Sequence, residues 1–240
     1  MAAPAFRAKN DANTAGATAA SITVNKPTGT VDDDILIAIV NHTTGSSFTT
    51  VTAPSGWTLL DERTQNDGEN AYRATAYWKK AASEGASYTW TPAVSAYMAA
   101  GISCYSGGDV TTPINAHSVN FSATSTTSNV CSAITTTVAD TMLVALAASG
   151  WWDNTWTPPS GMTERVDTAV GSDWGSVSIA DVTQVATGTT GTKTFTSSVS
   201  HSCAGFLIAI APGAGGGGGS TFIKIVGNNF SLAGSGGLAS

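Results

Sequence analysis

The sequence has few charged residues, and this shortage limits the kinds of surface that the protein can present. Charged side chains make up 11% of the 240 residues, against about 25% in an average soluble domain. The ten Lys and Arg are scattered, with Lys79-Lys80 as the only adjacent pair, whereas a nucleic-acid groove needs clustered cations. The formal net charge of −6 argues against binding to an anionic membrane surface. We therefore expect neither a nucleic-acid partner nor a membrane partner.

Cysteine and long apolar runs are also scarce. Cys104, Cys131 and Cys203 are widely spaced and odd in number, so they match neither a disulfide framework nor a zinc pattern. We expect three buried thiols, with a single disulfide as the alternative. Residues 1–20 lack the apolar run of a secretory signal, and no stretch has the roughly 18 apolar residues of a membrane span.

The residue patterns that mark common enzymes do not occur. His42, His117 and His201 are isolated, and the sequence contains no Gly-x-Ser-x-Gly elbow, no His-Glu-x-x-His motif and no P-loop. We therefore expect a protein that is not an enzyme and that needs no cofactor. A pair of carboxylates acting on polysaccharide is the remaining enzymatic alternative, because such residues can converge from distant strands.

Hydroxyl residues, glycine and short strand-like segments take the place of charge. Ser and Thr together number 63, and there are 26 Gly. Strand-like segments such as Ile35-Leu36-Ile37-Ala38-Ile39-Val40 recur with turn signals about every 8 to 12 residues, which predicts an all-β antiparallel sandwich. Trp57, Trp78, Trp90 and Trp174 fall in strand-like segments, where we expect them to pack in the core.

The most informative pattern is an internal repeat with an offset of 104 to 107 residues. It predicts a duplicated unit of roughly 100 residues, at 20–108 and 116–212, preceded by an N-terminal extension over 1–19. The favoured arrangement places both copies in one jelly-roll-like or lectin-like sandwich, and two small sandwiches are the alternative. The matched segments are Asp34-Ile35-Leu36-Ile37-Ala38 with Asp140-Thr141-Met142-Leu143-Val144-Ala145, Ala53-Pro54-Ser55-Gly56-Trp57-Thr58 with Pro158-Pro159-Ser160-Gly161-Met162-Thr163, Tyr88-Thr89-Trp90-Thr91 with Lys193-Thr194-Phe195-Thr196, and Ala100-Gly101-Ile102 with Ala204-Gly205-Phe206.

The character of the chain changes after Pro212. Residues 213–220 are a flexible glycine linker by composition, and residues 221–240 form an extended β arm. A lone strand has no core of its own, so the arm needs a sheet edge on this chain, a sister subunit or another protein. An engineered linker and tag is the alternative interpretation. The apolar residues that we expect to anchor the arm are Phe222, Ile223, Ile225, Val226, Phe230 and Leu232.

Two further clusters are candidate sites. The loop residues Trp151, Trp152, Asp153, Asn154 and Trp156 combine aromatic rings with polar groups, a composition suited to stacking on sugar rings or to a subunit interface. Packing of this loop over the end of the sandwich is the structural alternative.

The acidic run Asp32, Asp33 and Asp34 precedes the strongest strand and is a weak candidate for a metal site. No twelve-residue calcium loop surrounds it, so a solvated turn is the simpler interpretation, and we expect no metal.

These turn and core segments resemble β-sandwich modules of bacteriophage virion proteins of the minor tail, fibre or capsid decoration type. The resemblance covers roughly residues 20–212 and implies a lectin-like or jelly-roll sandwich displayed on a particle, with no catalytic residue carried over. The segments that carry it are Val31-Asp32-Asp33-Asp34-Ile35-Leu36-Ile37-Ala38, Pro54-Ser55-Gly56-Trp57-Thr58-Leu59-Leu60, Tyr105-Ser106-Gly107, Pro159-Ser160-Gly161-Met162-Thr163-Glu164-Arg165 and Ala209-Ile210-Ala211-Pro212.

The expected function follows from the arm and the resemblance together. We expect a structural virion protein, assembled in the host cytoplasm, that forms a homo-oligomer and joins other virion proteins through the arm. A carbohydrate-binding or host-receptor-binding module that uses the aromatic loop, with a host surface glycan as its partner, is the alternative.

Overall fold

The computed structural model describes residues 3–45, 47–66, 71–150, 154–172 and 174–213. Regular structure in these ranges consists of β-strands, without a helix, as the strand-type periodicity predicts. Accordingly, no helical segment there has the length and hydrophobicity needed to cross a membrane. The strands are β1 (Ala5–Asn13), β2 (Ile22–Asn25), β3 (Ile35–Gly45), β4 (Val51–Thr52), β5 (Thr58–Asn66), β6 (Ala71–Lys80), β7 (Ser87–Pro92), β8 (Tyr97–Ser106), β9 (Ile114–Cys131), β10 (Thr135–Thr136), β11 (Thr141–Ser149), β12 (Trp156–Thr157), β13 (Thr163–Ala169), β14 (Ser176–Gln184), β15 (Gly188–Thr189) and β16 (Lys193–Ile210).

Two antiparallel sheets form the centre of the molecule. The first sheet has the strand order β1-β8-β3-β6-β5, and in the second sheet β9 pairs with β16, followed by β11, β14 and β13. Each sheet draws its strands from one half of the chain. The two halves therefore do not interleave within a sheet in the described residues.

The two central sheets pack face to face around a shared core. Ile35, Ile37 and Ile39 of β3 point to this core, which they share with Val144 and Leu146 of β11, and all five are fully buried. The intervening residues of both strands face the other way and are buried as well. Both central strands are thus covered on both faces, which explains why their sequences are continuous apolar runs rather than alternating ones.

A further layer covers the outer face of each central sheet. The strands β2-β7-β4 cover the first sheet and bury Trp57, Tyr88 and Trp90 against it. On the second sheet, β12 and the outer parts of β9 and β16 bury Trp156 and Phe195. Each half of the chain thus has two layers and its own core, besides the core that the halves share. Trp57 and Trp90 are buried as predicted, whereas Trp78 and Trp174 are partly buried beside the shared core.

The two halves repeat the same local features. In the turn that precedes β5, Trp57 N–H donates to the Pro54 carbonyl at 3.3 Å, and Gly56 has a φ of 82°. In the turn that precedes β13, Met162 N–H donates to the Pro159 carbonyl at 2.9 Å, and Gly161 has a φ of 79°. These are the turns that the repeated Pro-Ser-Gly sequence predicts, because glycine accepts a positive φ without steric cost.

Register shifts and backbone conformation also match between the halves. Leu60 is the third residue of β5 and Arg165 is the third residue of β13. At each of these positions the strand pairing has a register shift, and the residue has no opposite residue on the neighbouring strand. Asp33 and Asp140 both have a positive φ just before β3 and β11. In the structure, Asp33 is therefore equivalent to Asp140, whereas the sequence repeat aligns Asp34 with Asp140. The alignment changes by one residue because equivalent strand residues must point to the same face of their sheets.

The N-terminal segment belongs to the first sheet. Residues 5–13, which lie within the predicted N-terminal extension, form β1 and pair with β8. The predicted extension therefore includes an edge strand. All three cysteines are free and buried, as expected from their spacing.

Close contact between the central sheets depends on a glycine. A Cβ atom on Gly101 of β8 would lie 2.9 Å from Val166 Cγ1 and 3.4 Å from Ile179 Cδ1 of the opposite sheet. We predict that Gly101→Ala lowers the free energy of unfolding by about 1–3 kcal/mol, because the extra methyl group overpacks the shared core. Urea unfolding followed by tryptophan fluorescence measures this loss.

A second substitution tests the cause. Val166→Ala in the Gly101→Ala background removes the clashing methyl groups, so the double variant should lose less stability than the two single losses combined. Gly85→Ala is the matched control, because a Cβ atom on Gly85 would have no atom within 4 Å. Additive losses would show that the clash with Val166 is not the cause.

Candidate functional site

The described part of the chain ends at a fixed point beside the connection between the two halves. Ala211 N–H donates to the Pro113 carbonyl at 2.8 Å, and the Ala211 carbonyl accepts from Asp109 N–H at 2.9 Å. Gly213 N–H then donates to the Gly107 carbonyl at 2.8 Å. We call this end of the sandwich, where β3 begins, the anchor end.

Small residues allow the chain segments at the anchor end to cross. A Cβ atom on Gly108 would lie 2.6 Å from Ile35 Cγ1, and one on Gly213 would lie 2.9 Å from the Gly108 carbonyl oxygen. Backbone therefore packs directly on backbone where the sandwich finishes. Gly213, the last described residue, consequently has a defined position.

A cleft of about 240 Å³ opens beside this crossing. Asp109 Oδ1 accepts from the backbone N–H groups of Thr111 at 2.7 Å and Thr112 at 2.9 Å, which lowers the pKa of the Asp109 carboxyl group. The carboxylate thus orders the loop that rims the cleft. The lining residues are Asp109, Thr112, Ile114, Asn115, Val138, Ala211 and Pro212.

The predicted arm itself lies beyond the described residues. The six apolar arm residues, namely Phe222, Ile223, Ile225, Val226, Phe230 and Leu232, all fall after residue 213. Docking of the arm therefore stays a prediction, to which the structure adds the position of Gly213, the first residue of the linker.

At the opposite end, where β3 and β11 finish, the structure describes two of the five residues of the aromatic loop. Asn154 and Trp156 are both buried, with 1% and 3% of their surface exposed. The Trp156 ring packs edge-on against Phe195, and its Nε1 donates to Ser176 Oγ at 2.9 Å. These two residues pack the sandwich, as the structural alternative proposes, and do not present a surface for a ligand. Trp151, Trp152 and Asp153 lie outside the described residues. We call this end the loop end.

Asn154 is the centre of a buried hydrogen-bond network at the loop end. Its Oδ1 accepts from the hydroxyl groups of Ser149 at 2.9 Å and of Ser176, and its Nδ2 donates to Ser197 Oγ at 2.9 Å. Ser197 Oγ also lies 2.9 Å from His201 Nε2. Each of these groups has a partner, which matters because an unsatisfied buried polar group costs about 1–3 kcal/mol.

The Ser197–His201 contact places a hydroxyl group beside an imidazole, as in a nucleophile–base pair. Both residues are only 4% exposed, and burial lowers the pKa of His201. His201 Nδ1 lies 3.0 Å from the Ser202 carbonyl oxygen, so among the described residues a backbone group, not a carboxylate, orients the ring. This arrangement is that of a structural network closed to substrate.

A stacked aromatic pair lies at the loop end and was not identified as a site from the sequence. Tyr97 and Trp174 are partly buried, with ring centroids 4.1 Å apart and planes 3° apart. Tyr97 begins β8, and Trp174 lies two residues before β14. The two rings come from different halves of the chain, so only the packing of the halves brings them together.

The acidic run before β3 does not form a metal site. Asp34 is buried and forms an ion pair with Arg7, with Nε 2.8 Å from Oδ2. Asp32 accepts from Ser83 N–H at 2.6 Å, and Asp33 lies 3.6 Å from Lys80 Nζ. The three carboxylates thus have separate partners, and the described ranges contain no group of three or more side chains suited to a metal ion.

No protein-family model, no curated protein and no solved structure matches this chain. Its function must therefore be inferred from the anchor end, the loop end and the sheet edges.

The buried His42 predicts a pH dependence of stability. Its Nε2 lies 3.0 Å from the Thr49 carbonyl oxygen, and burial lowers the pKa of the imidazole from 6.5 to about 4. Between pH 6.5 and about pH 4, His42 is thus neutral in the folded protein and protonated in the unfolded chain. We predict that stability falls as the pH decreases from about 6.5 to about 4, by on the order of 3 kcal/mol from this residue.

Urea unfolding at pH 7 and at pH 4.5 measures the effect. His42→Gln should reduce the difference between the two pH values, because glutamine does not titrate. His117→Gln is the matched control, since His117 is exposed at the surface. An unchanged pH dependence in His42→Gln would refute the assignment to His42.

Proposed function

We propose that this protein is a non-enzymatic structural component of a bacteriophage virion, of the surface decoration, fibre or minor tail type. In this proposal, the sandwich is displayed on the particle and the C-terminal arm joins the subunit to its neighbours. The resemblance of the turn and core segments to virion sandwich modules supports the class of protein. The low charge and the abundance of hydroxyl residues support a surface that is exposed on a particle.

The observation that carries the proposal is the anchored chain end. Backbone hydrogen bonds hold the chain as far as Gly213, the first residue of the glycine-rich linker. A strand-forming segment, residues 221–226, follows the linker and has no core of its own. A rigid exit, a flexible tether and a lone strand are together the parts needed for strand addition to a neighbour.

We further propose that the sandwich arose by duplication of an eight-stranded jelly-roll unit. In the first half, β1 lies beside β8, β2 beside β7 and β3 beside β6, as when one long hairpin is rolled into two layers. The equal order of the central sheets and the matching turns and register shifts support a common origin for the halves. Duplication also explains why the two halves pack through equivalent faces.

Strand addition is energetically sufficient for assembly. Each main-chain hydrogen bond of an added strand contributes a net of about 0.5–1.5 kcal/mol. Each large apolar side chain that becomes fully buried adds roughly 1.5–3 kcal/mol before the costs of ordering the arm. Several such clips in a closed oligomer reinforce one another, since all subunits are then held at once.

Truncation tests the role of the arm. We predict that the full chain is oligomeric and that a chain ending at Gly213 is monomeric, because the sandwich is complete at that residue. Light scattering after size-exclusion chromatography measures both masses. Phe222→Asp with Ile225→Asp in the full chain should behave like the truncated chain. If the truncated chain keeps the mass of the full chain, the sandwich makes the interface and the proposal for the arm is wrong.

Glycan binding at the loop end is the second candidate function. The Tyr97–Trp174 pair supports it, because stacked, partly exposed aromatic rings offer a flat surface to a sugar ring. Gly150, which precedes Trp151 and Trp152 in the sequence, follows the end of β11 at the same end of the sandwich. In this proposal the aromatic pair and these two residues, rather than Asn154 and Trp156, contact the glycan.

A glycan screen with matched variants tests this candidate. We predict that Trp174→Ala weakens binding to any glycan that the parent retains by roughly two- to tenfold, since one stacking contact contributes about 0.5–1.5 kcal/mol. Trp78→Ala is the control, because Trp78 is also partly buried but lies on β6, between β3 and β5, near the anchor end. Equal binding by the parent and Trp174→Ala would remove the pair from the proposal.

A further inference from the structure

The two long sides of the shared core are closed in different ways. On one side, which we call the first edge, β1 contacts β13; on the other, the second edge, β9 contacts β5. Because both central sheets have the same strand order, the two edges are built from equivalent strands. A difference between them is therefore a difference in sequence at equivalent positions.

Charged groups seal the first edge. Arg165 forms two hydrogen bonds with the buried Asp181, at 2.8 Å and 2.9 Å, and Tyr105 OH donates to the same carboxylate at 3.1 Å. The Arg165 guanidinium also lies 3.9 Å from the centroid of the Phe6 ring. This edge is thus covered by a satisfied polar cluster that packs over an aromatic side chain.

The second edge has apolar residues at the corresponding places. Leu60 lies at the register shift of β5, as Arg165 lies at the register shift of β13. Trp78 pairs with the first residue of β5, as Asp181 pairs with the first residue of β13. A contact of 3.4 Å between His117 Nδ1 and Asp61 Oδ2 spans the second edge. We call the partly buried apolar residues along it the apolar strip: Leu60, Trp78, Ile114, Val119 and Phe121.

The outer strand of the second edge also lacks the usual protection against strand pairing. Residues 114–122 of β9 pair with β16 on one side and, among the described residues, with no strand on the other. They contain no Lys, Arg, Asp or Glu, whereas β1, β5 and β13 each contain three such residues. A long uncharged edge strand is a template for the addition of another strand.

We propose that the second edge receives residues 221–226 from the arm of a second copy of this chain, added as a strand beside β9. This inference rests on the proposed function and names the surface that the arm occupies. Side chains alternate along a strand, so Phe222, Lys224 and Val226 share one face. With that face toward the core, the two apolar residues cover the apolar strip and Lys224 lies opposite Asp61.

Charge and reach both fit this occupant. Lys224 is the only charged residue in 213–240, and Asp61 is the carboxylate that borders the apolar strip. The linker over 213–220 can extend to at most about 26–29 Å, which is enough for the arm to leave its own sandwich. Each copy carries one arm and one second edge, so two copies can exchange arms reciprocally, or several copies can be linked in a ring.

Charge reversal tests both the surface and the exchange between copies. Lys224→Glu places two negative charges at the contact, and Asp61→Lys places two positive charges there. We expect each variant alone to assemble at least about tenfold more weakly than the parent. An equimolar mixture should form oligomers that contain both chains. In such an oligomer, the negative charge on the arm of the Lys224→Glu chain meets the positive charge on the second edge of the Asp61→Lys chain. Light scattering gives the masses, and native mass spectrometry gives the composition of the mixture.

Controls separate the possible causes of failure. The double variant Lys224→Glu, Asp61→Lys should regain the parent's mass, and Asp11→Lys on β1 should keep it, because Asp11 lies at the first edge. Thermal unfolding checks that every variant is folded. An oligomeric parent with variants that assemble normally would overturn this inference alone. A mixture that stays monomeric beside an oligomeric parent would do the same, since it would show that the two reversed charges do not meet between copies. A monomeric parent would overturn the proposed function as well.

Discussion

Burial of β3 and β11 on both faces is the constraint on which the rest of the structure depends. Their inner faces meet across the shared core, and their outer faces need cover of their own. Each half of the chain therefore supplies an outer layer, and the strands must alternate between layers to do so. The glycine at position 101 and the crossing of backbone segments at the anchor end follow from the same close packing, because bulkier residues would separate the layers.

Several features could be predicted from the sequence because they depend on local chemistry. The continuous apolar run in β3, the two Pro-Ser-Gly turns and the buried thiols follow from residue type and immediate neighbours. The separation of the halves into different sheets could not be predicted. Periodicity indicates that a strand is buried on both faces, but it does not indicate which strands cover those faces. The same limit placed Trp156 among candidate ligand contacts, although the indole donates to a serine 20 positions away.

Long-range pairing also explains which site residues were missed. Asp181 lies on β14, a largely buried strand, and an acidic residue at such a place indicates a buried partner. The identity of that partner, Arg165, depends on the pairing of β13 with β14, and the Tyr105 contact depends on the packing of the halves. The Tyr97–Trp174 pair and the Asn154 network arise in the same way. These contacts join residues that are close only after the sheets have formed.

The distribution of the few charges supports a special role for the second edge. The chain has 26 charged residues, the sum of ten Lys and Arg and sixteen Asp and Glu. Nine of them lie on β1, β5 and β13, which together hold 25 residues, so about a third of the charge occupies about a tenth of the chain. Edge strands benefit most from charge, because a charged edge resists pairing with other chains. The first nine residues of β9 form the fourth long edge and carry no such charge. Three of the four long edges thus carry three charged residues each and the fourth carries none, which is the contrast on which the proposal of an added strand rests.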